Sequence, residues 1–193
     1  GNEINNVEGG IRLLSLMSSC YKPITKVKVY VLQNKIRIDD NIVNDTSNYG
    51  IFVYQNTMDS TRVEICDNEL YCNIVNTPLF VDAIRISAKD TVAKTNFINI
   101  KNNNILGWNK AFLLNASEGG NLVTDIIENN INNNRYPCYF NFVSTDSTGL
   151  LLNTNVKNNL FSGSDTIFFV DGYIDGLKYL NKPLKNKILL NIN

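Results

Sequence analysis

The stretch Ile-Thr-Lys-Val-Lys-Val-Tyr-Val-Leu-Gln-Asn-Lys-Ile-Arg-Ile-Asp, residues 24–39, shows the clearest two-residue periodicity in the chain. Apolar side chains occupy every second position of its first half, at Val27, Val29 and Val31. This pattern is typical of a β-strand with one buried face. Residues 33–35 are polar and suit a tight turn, after which the alternation resumes at Ile36 and Ile38. The stretch therefore predicts a β-hairpin.

Composition limits the class of protein. The 193 residues are 44% hydrophobic and 19% charged, which is typical of a globular chain. No apolar run approaches the roughly 20 residues of a membrane helix, so no transmembrane segment is expected. Lys plus Arg and Asp plus Glu both total 18, without a basic arm or patch. The sequence therefore argues against a nucleic-acid partner.

Two compositional extremes bear on chemistry. The chain contains 33 asparagines, which we attribute to codon bias in an AT-rich genome and to the ease with which Asn enters turns. It contains no histidine, which removes Ser-His and Cys-His nucleophiles and His-ligated zinc. We expect a protein that is not an enzyme and that uses no cofactor or metal.

Many short apolar runs, separated by polar turns at intervals of roughly 8 to 12 residues, predict a mostly β fold. The interpretation is an antiparallel β-sandwich, either jelly-roll or immunoglobulin-like. One α-helix is predicted at residues 121–133, because five apolar side chains recur there at helical spacing: Leu122, Val123, Ile126, Ile127 and Ile131. No internal repeat is evident.

The domain organisation follows from the polar segments. Residues 1–10 form a polar N-terminal leader, and residues 11–193 are predicted to form a single domain. The most polar interruption of that domain lies at residues 88–94, where a subdivision is the alternative.

The cysteine spacing supplies the one candidate covalent site. Residues 62–75 are predicted to form a second hairpin that turns at residues 67–69, which would place Cys66 opposite Cys72. A disulfide between them is one interpretation, and free buried thiols are the other. A four-cysteine zinc site is disfavoured, because no pair has the close C-x2-C spacing.

Two further patterns have a structural and a functional interpretation. Four carboxylates of the last quarter could hold calcium, although turn formation explains each of them: Asp146, Asp165, Asp171 and Asp175. The single tryptophan, Trp108, is expected in the core rather than in a ligand site.

We expect a non-catalytic structural or surface protein with protein partners. The leading hypothesis is a self-assembling or decorating subunit of a virus particle or surface appendage. The alternative is an extracellular binding module for a glycan or protein, acting through loops such as residues 39–48 or 144–149. A third is a hydrolase with paired carboxylates. The expected location is extracellular, at the cell surface or in a virion.

Overall fold

The computed structural model describes residues 1–5, 9–14, 27–39, 48–55, 61–73, 81–89, 95–117, 120–144, 151–164, 166–174 and 187–192. These residues form 18 β-strands in three six-stranded sheets. Every pairing between neighbouring strands is parallel.

Each sheet takes every third strand of the chain. Sheet A contains β1 (Glu3–Asn5), β4 (Lys35–Asp39), β7 (Glu69–Asn73), β10 (Asn104–Leu106), β13 (Asn130–Asn132) and β16 (Leu160–Ser162). Sheet B contains β2 (Gly9–Leu14), β5 (Asn48–Gln55), β8 (Val81–Lys89), β11 (Lys110–Ser117), β14 (Tyr136–Ser144) and β17 (Phe168–Ile174). Sheet C contains β3 (Val27–Leu32), β6 (Thr61–Cys66), β9 (Thr95–Lys101), β12 (Asn121–Ile127), β15 (Leu151–Lys157) and β18 (Lys187–Ile192).

The chain visits sheets A, B and C in turn and then returns to sheet A beside its previous strand. The fold is therefore a parallel β-solenoid, in which each coil supplies one strand to every sheet. The prediction of an antiparallel sandwich, jelly-roll or immunoglobulin-like, was wrong. Parallel neighbours cannot be joined by a tight hairpin. The predicted strands of residues 24–39 exist as β3 and β4, but they belong to sheets C and A.

The α-helix predicted at residues 121–133 was also wrong. This segment forms β12, a bend, and β13. Leu122, Thr124 and Ile126 point into the core at strand period, while the side chains between them are half-buried. A spacing of four residues fits one helical turn and also two strand periods, so Leu122 and Ile126 satisfied both patterns.

The corner between sheets C and A repeats in every coil that the structure describes. A residue with positive φ, between 54° and 58°, comes first at Gln33, Asp67, Asn102, Glu128 and Asn158. An asparagine follows immediately, at Asn34, Asn68, Asn103, Asn129 and Asn159. We call these five asparagines the corner ladder. The left-handed backbone bends the chain from one sheet into the next without reversing it.

Hydrogen bonds join the corner ladder along the solenoid. The Nδ2 and backbone N of Asn68 donate to Oδ1 of Asn103, at 2.9 and 3.0 Å. Asn103 donates in the same way to Asn129, with both distances 2.9 Å. From Asn68 to Asn159, each ladder Nδ2 also donates to two backbone carbonyls, which for Asn103 are those of Ile65 and Lys101. Buried amides are thereby paired, as the cost of desolvating them requires.

The core is built from stacked aliphatic side chains. Ile36, Leu70, Ile105 and Ile131 occupy equivalent positions on adjacent strands of sheet A and are at most 1% exposed. Full burial of such a side chain stabilises the fold by about 1.5–3 kcal/mol. Trp108 lies in this core, 1% exposed, at the corner between sheets A and B.

Part of the predicted leader belongs to the solenoid, because β1 pairs with β4. The candidate subdivision at residues 88–94 begins in β8, and residues 90–94 lie outside the described ranges. Sheets B and C both continue past this point.

Among the described residues, the structure contains no helix with the length and apolar character that membrane crossing requires.

Candidate functional site

The outer face of sheet B carries three rows of side chains that follow the strand register. The middle row contains Arg12, Phe52, Arg85, Leu113, Tyr139 and Phe169. The first row contains Tyr49, Asp82, Lys110 and Tyr136. The polar row contains Tyr54, Ser87, Asn115, Asn141 and Asp171. Each row places its side chains about 4.8 Å apart, the distance between neighbouring strands.

Aromatic rings form two clusters on this face. The first cluster lies on β5, where the centroid of Phe52 is 5.3 Å from that of Tyr49 and 6.2 Å from that of Tyr54. The second cluster combines Tyr136, Tyr139 and Phe169 from β14 and β17. Its Tyr139 and Phe169 rings are stacked, with centroids 4.8 Å apart and planes inclined by 25°.

A shallow groove lies beside the first cluster. Its described lining residues come from β5, β8 and β11: Phe52, Tyr54, Arg85, Ser87, Leu113, Asn115 and Ser117. The second cluster starts on the next strand, three strand spacings or about 14 Å from β5. We call this region, with an aromatic cluster on each side, the sheet B groove.

A buried carboxylate holds two cations at the groove. Asp82 is fully buried, and its Oδ2 accepts a hydrogen bond from Nε of Arg85 at 2.6 Å. Nζ of Lys110 lies 3.5 Å from Oδ1, an ionic contact longer than a strong hydrogen bond. The side chains of Arg85 and Lys110 are 15% and 12% exposed. One buried negative charge therefore fixes the positions of two largely buried positive charges, of which Arg85 lines the groove.

The cations also contact the rings. Arg12 and Arg85 lie 5.6 and 5.7 Å from the centroid of the Phe52 ring, within the range of cation–π attraction. Nζ of Lys110 lies 5.1 Å from the centroid of Tyr139. These contacts restrict the rings and the cations to one arrangement.

Tyr139 is held by its neighbour on β17. Its hydroxyl donates to Oδ2 of Asp171 at 2.9 Å. Desolvation and then this carboxylate raise the pKa of Tyr139 to about 12. The phenol is neutral at physiological pH, as an ordinary tyrosine is, and its ring presents an uncharged face.

The two cysteines of the predicted disulfide lie in different sheets, with Cys66 on β6 and Cys72 on β7. No disulfide joins these two described residues in the structure. Burial, followed by the charge of Glu64, raises the pKa of Cys66 and disfavours its reactive thiolate. The hairpin that motivated the bridge is absent, so the disulfide stays a prediction from spacing alone.

The other candidate positions are dispersed. Asp171 lies on β17 and binds Tyr139, whereas Asp146, Asp165 and Asp175 lie outside the described residues. Within the described ranges, no three His, Cys, Asp or Glu side chains are grouped so that they could hold a metal ion. Most of the loops predicted to bind ligand, residues 40–47 and 145–149, also lie outside the described residues.

Sequence reasoning missed the sheet B groove. The available signal was the pair of segments Tyr-Gly-Ile-Phe-Val-Tyr at residues 49–54 and Tyr-Pro-Cys-Tyr at residues 136–139. Each places aromatic rings three residues apart, which is irregular for a flat strand. Only the register of the parallel sheet brings these segments onto one face.

Comparison with known proteins adds no relative: the chain matches no protein-family model, and neither the curated proteins nor the solved structures include a significant match.

Proposed function

We propose that this protein is a binding module that takes a carbohydrate chain in the sheet B groove. The observation that carries the proposal is the middle row, in which three rings, one leucine and two arginines run directly beside the polar row. A sugar ring has an apolar face of C–H groups and an edge of hydroxyl groups. Aromatic side chains suit that face, and amide, hydroxyl and carboxylate groups suit the edge.

The polar row supplies amide, hydroxyl and carboxylate groups. Asn115 lines the groove, and its Oδ1 is buried without a hydrogen-bond partner among the described residues. Ser87 lies beside it and also lines the groove. A few convergent polar groups beside an apolar wall are typical of small-molecule and sugar sites.

The hydrolase alternative gains no support from this groove. It required two carboxylates facing each other in a cleft. None of the seven described lining residues is Asp or Glu, and the nearby Asp82 is buried against its two cations.

The test measures the binding of soluble oligosaccharides to the full chain by calorimetry, with the variants Phe52→Ala and Tyr139→Ala. Loss of an interface aromatic typically costs about 1.4 kcal/mol or more, which is about tenfold in affinity. The matched control is Tyr30→Ala, since Tyr30 is an exposed ring on sheet C. Equal weakening by all three variants, or no binding by the unaltered protein, would contradict the proposal.

A second candidate function is self-association, which retains part of the structural-subunit hypothesis. The last coil exposes an apolar side chain in each sheet: Leu160 is 63%, Val170 50% and Ile192 54% exposed. Exposed apolar groups on outermost strands favour pairing with a second copy. Native mass measured over a wide concentration range, for the unaltered chain and for Val170→Lys, tests this. A monomer at every concentration would exclude it.

The location of the protein stays a prediction. Nothing in the structure or the comparisons supports the virus-particle setting, whereas a glycan-binding surface is compatible with the predicted extracellular or cell-surface location.

A further inference from the structure

We propose that the carbohydrate bound in the sheet B groove is acidic, and that Arg12 and Arg85 recognise its carboxylates. This inference rests on the proposed function and names the chemistry of its ligand. The two arginines occupy the middle row on β2 and β8, with Phe52 between them on β5. Both guanidinium groups lie over the Phe52 ring, 5.6 and 5.7 Å from its centroid, so a carboxylate placed beside this ring would have a guanidinium on each side.

Charge at the groove favours an anion. Arg12, Arg85 and Lys110 contribute three positive charges, and Asp82 and Asp171 contribute two negative charges, so these five groups carry +1. The whole chain has a formal net charge of zero. The groove is thus a local concentration of positive charge on a neutral protein, and opposite charge is attracted to it.

Arg12 is the more available of the two arginines. It is exposed, and among the described residues it contacts the Phe52 ring without pairing with a carboxylate. Arg85 is already held by Asp82, which keeps its guanidinium in place before a ligand arrives. Arg85 therefore offers a ligand a preorganised contact, and Arg12 offers a charge that no described carboxylate neutralises.

A neutral ligand fits these groups poorly. An uncharged sugar offers a guanidinium only neutral hydroxyl acceptors, whose hydrogen bonds compensate less well for the lost water than those of a charged group. A carboxylate replaces them with charge-assisted hydrogen bonds, and the planar guanidinium matches its geometry. The arrangement therefore discriminates in favour of sugars that carry a carboxylate, such as uronic acids.

The experiment compares the affinities of acidic and neutral oligosaccharides, and the first pair of probes shares one sugar backbone. Oligogalacturonate carries a carboxylate on every sugar, and its fully methyl-esterified form carries none. Hyaluronan and chitin oligosaccharides serve as a second acidic and neutral pair. We expect the acidic member of at least one pair to bind about tenfold or more tightly than its neutral counterpart. Raising the salt concentration should reduce that difference, because the interaction is between accessible charges.

The variant Arg12→Gln tests the assignment within the protein. It should weaken binding of the acidic probe severalfold more than binding of the neutral probe. The matched control is Arg62→Gln, since Arg62 is an exposed arginine on sheet C that pairs with Glu64 at 3.1 Å. Circular dichroism confirms that both variants are folded.

The outcomes separate the two proposals. Equal binding of acidic and neutral probes, with loss in Phe52→Ala, would overturn the acidic ligand and retain a carbohydrate site. Binding of none of the four oligosaccharides would overturn both proposals. A single-stranded oligothymidylate that binds more tightly than every sugar would also overturn both, because rings and arginines can instead stack bases.

Discussion

Replacing Asn103 by alanine should destabilise the protein severely, because Asn103 is a central member of the corner ladder. Its Oδ1 accepts from both amide groups of Asn68, and its Nδ2 donates to the Ile65 carbonyl at 2.9 Å. The substitution leaves the backbone N–H of Asn68 and the Ile65 carbonyl without these partners inside the fold. Each unpaired buried group costs about 1–3 kcal/mol, so the expected loss is about 2–6 kcal/mol.

The loss is large relative to a domain stability of about 5–15 kcal/mol. Urea unfolding followed by circular dichroism measures it. At a slope of about 2 kcal/mol/M, a loss of 4 kcal/mol lowers the midpoint by about 2 M. The matched control is Asn104→Ala, because Asn104 is the adjacent exposed asparagine outside the ladder. Its expected effect is within about 0.5 kcal/mol. Equal midpoints for the two variants would refute the role of the ladder.

Three further predictions concern other parts of the fold. Asp82→Ala should lower the free energy of unfolding by about 3–5 kcal/mol, since it leaves two cations of low exposure without their carboxylate. The control Glu69→Ala should lower it by at most about 1 kcal/mol, because the pair of Glu69 with a lysine is exposed. Similar urea midpoints for the two variants would contradict this. Asp171→Asn should lower the pKa of Tyr139 below about 12 without restoring its ordinary value, because burial, the larger cause, remains while the carboxylate no longer disfavours tyrosinate; an unchanged ultraviolet titration would exclude the carboxylate as a cause. Gly107→Ala should destabilise the fold by about 1 kcal/mol or more, as measured by thermal unfolding, because φ is +79° and a Cβ would lie 2.2 Å from a backbone carbonyl oxygen.

Strand positions were largely predictable from the sequence, whereas their arrangement was not. Alternation at Val29, Val31, Ile36 and Ile38 correctly indicated two strands. The periodicity of a strand shows which of its faces is buried. It does not show whether the following strand pairs with it or belongs to another sheet. The two-residue corner at Gln33 and Asn34 resembles a hairpin turn by length alone.

The repeat was present in the sequence but was obscured by its variable spacing. Successive ladder asparagines are separated by 34, 35, 26 and 30 residues. The asparagine-rich stretches at residues 102–104 and 129–130 were attributed to composition, although they mark equivalent corners. Knowing that an asparagine follows a left-handed residue at each corner would have identified the coils.

The candidate site could not be predicted because it is assembled across coils. Phe52, Arg85 and Tyr139 are far apart in the chain and meet only through strand register. The spacing of residues within any one strand therefore gives no means of finding the site.

The identical corners also bear on how such a gene can change length. Residues 69–103 contain one strand of each sheet and a complete corner, and residues 104–129 contain the next such set. Recombination between two corner codons would remove or duplicate a whole coil while preserving an asparagine at the junction. Since each coil contacts mainly its two neighbours, the remaining stack could close without other changes. We therefore expect homologous chains to differ by whole coils rather than by arbitrary numbers of residues.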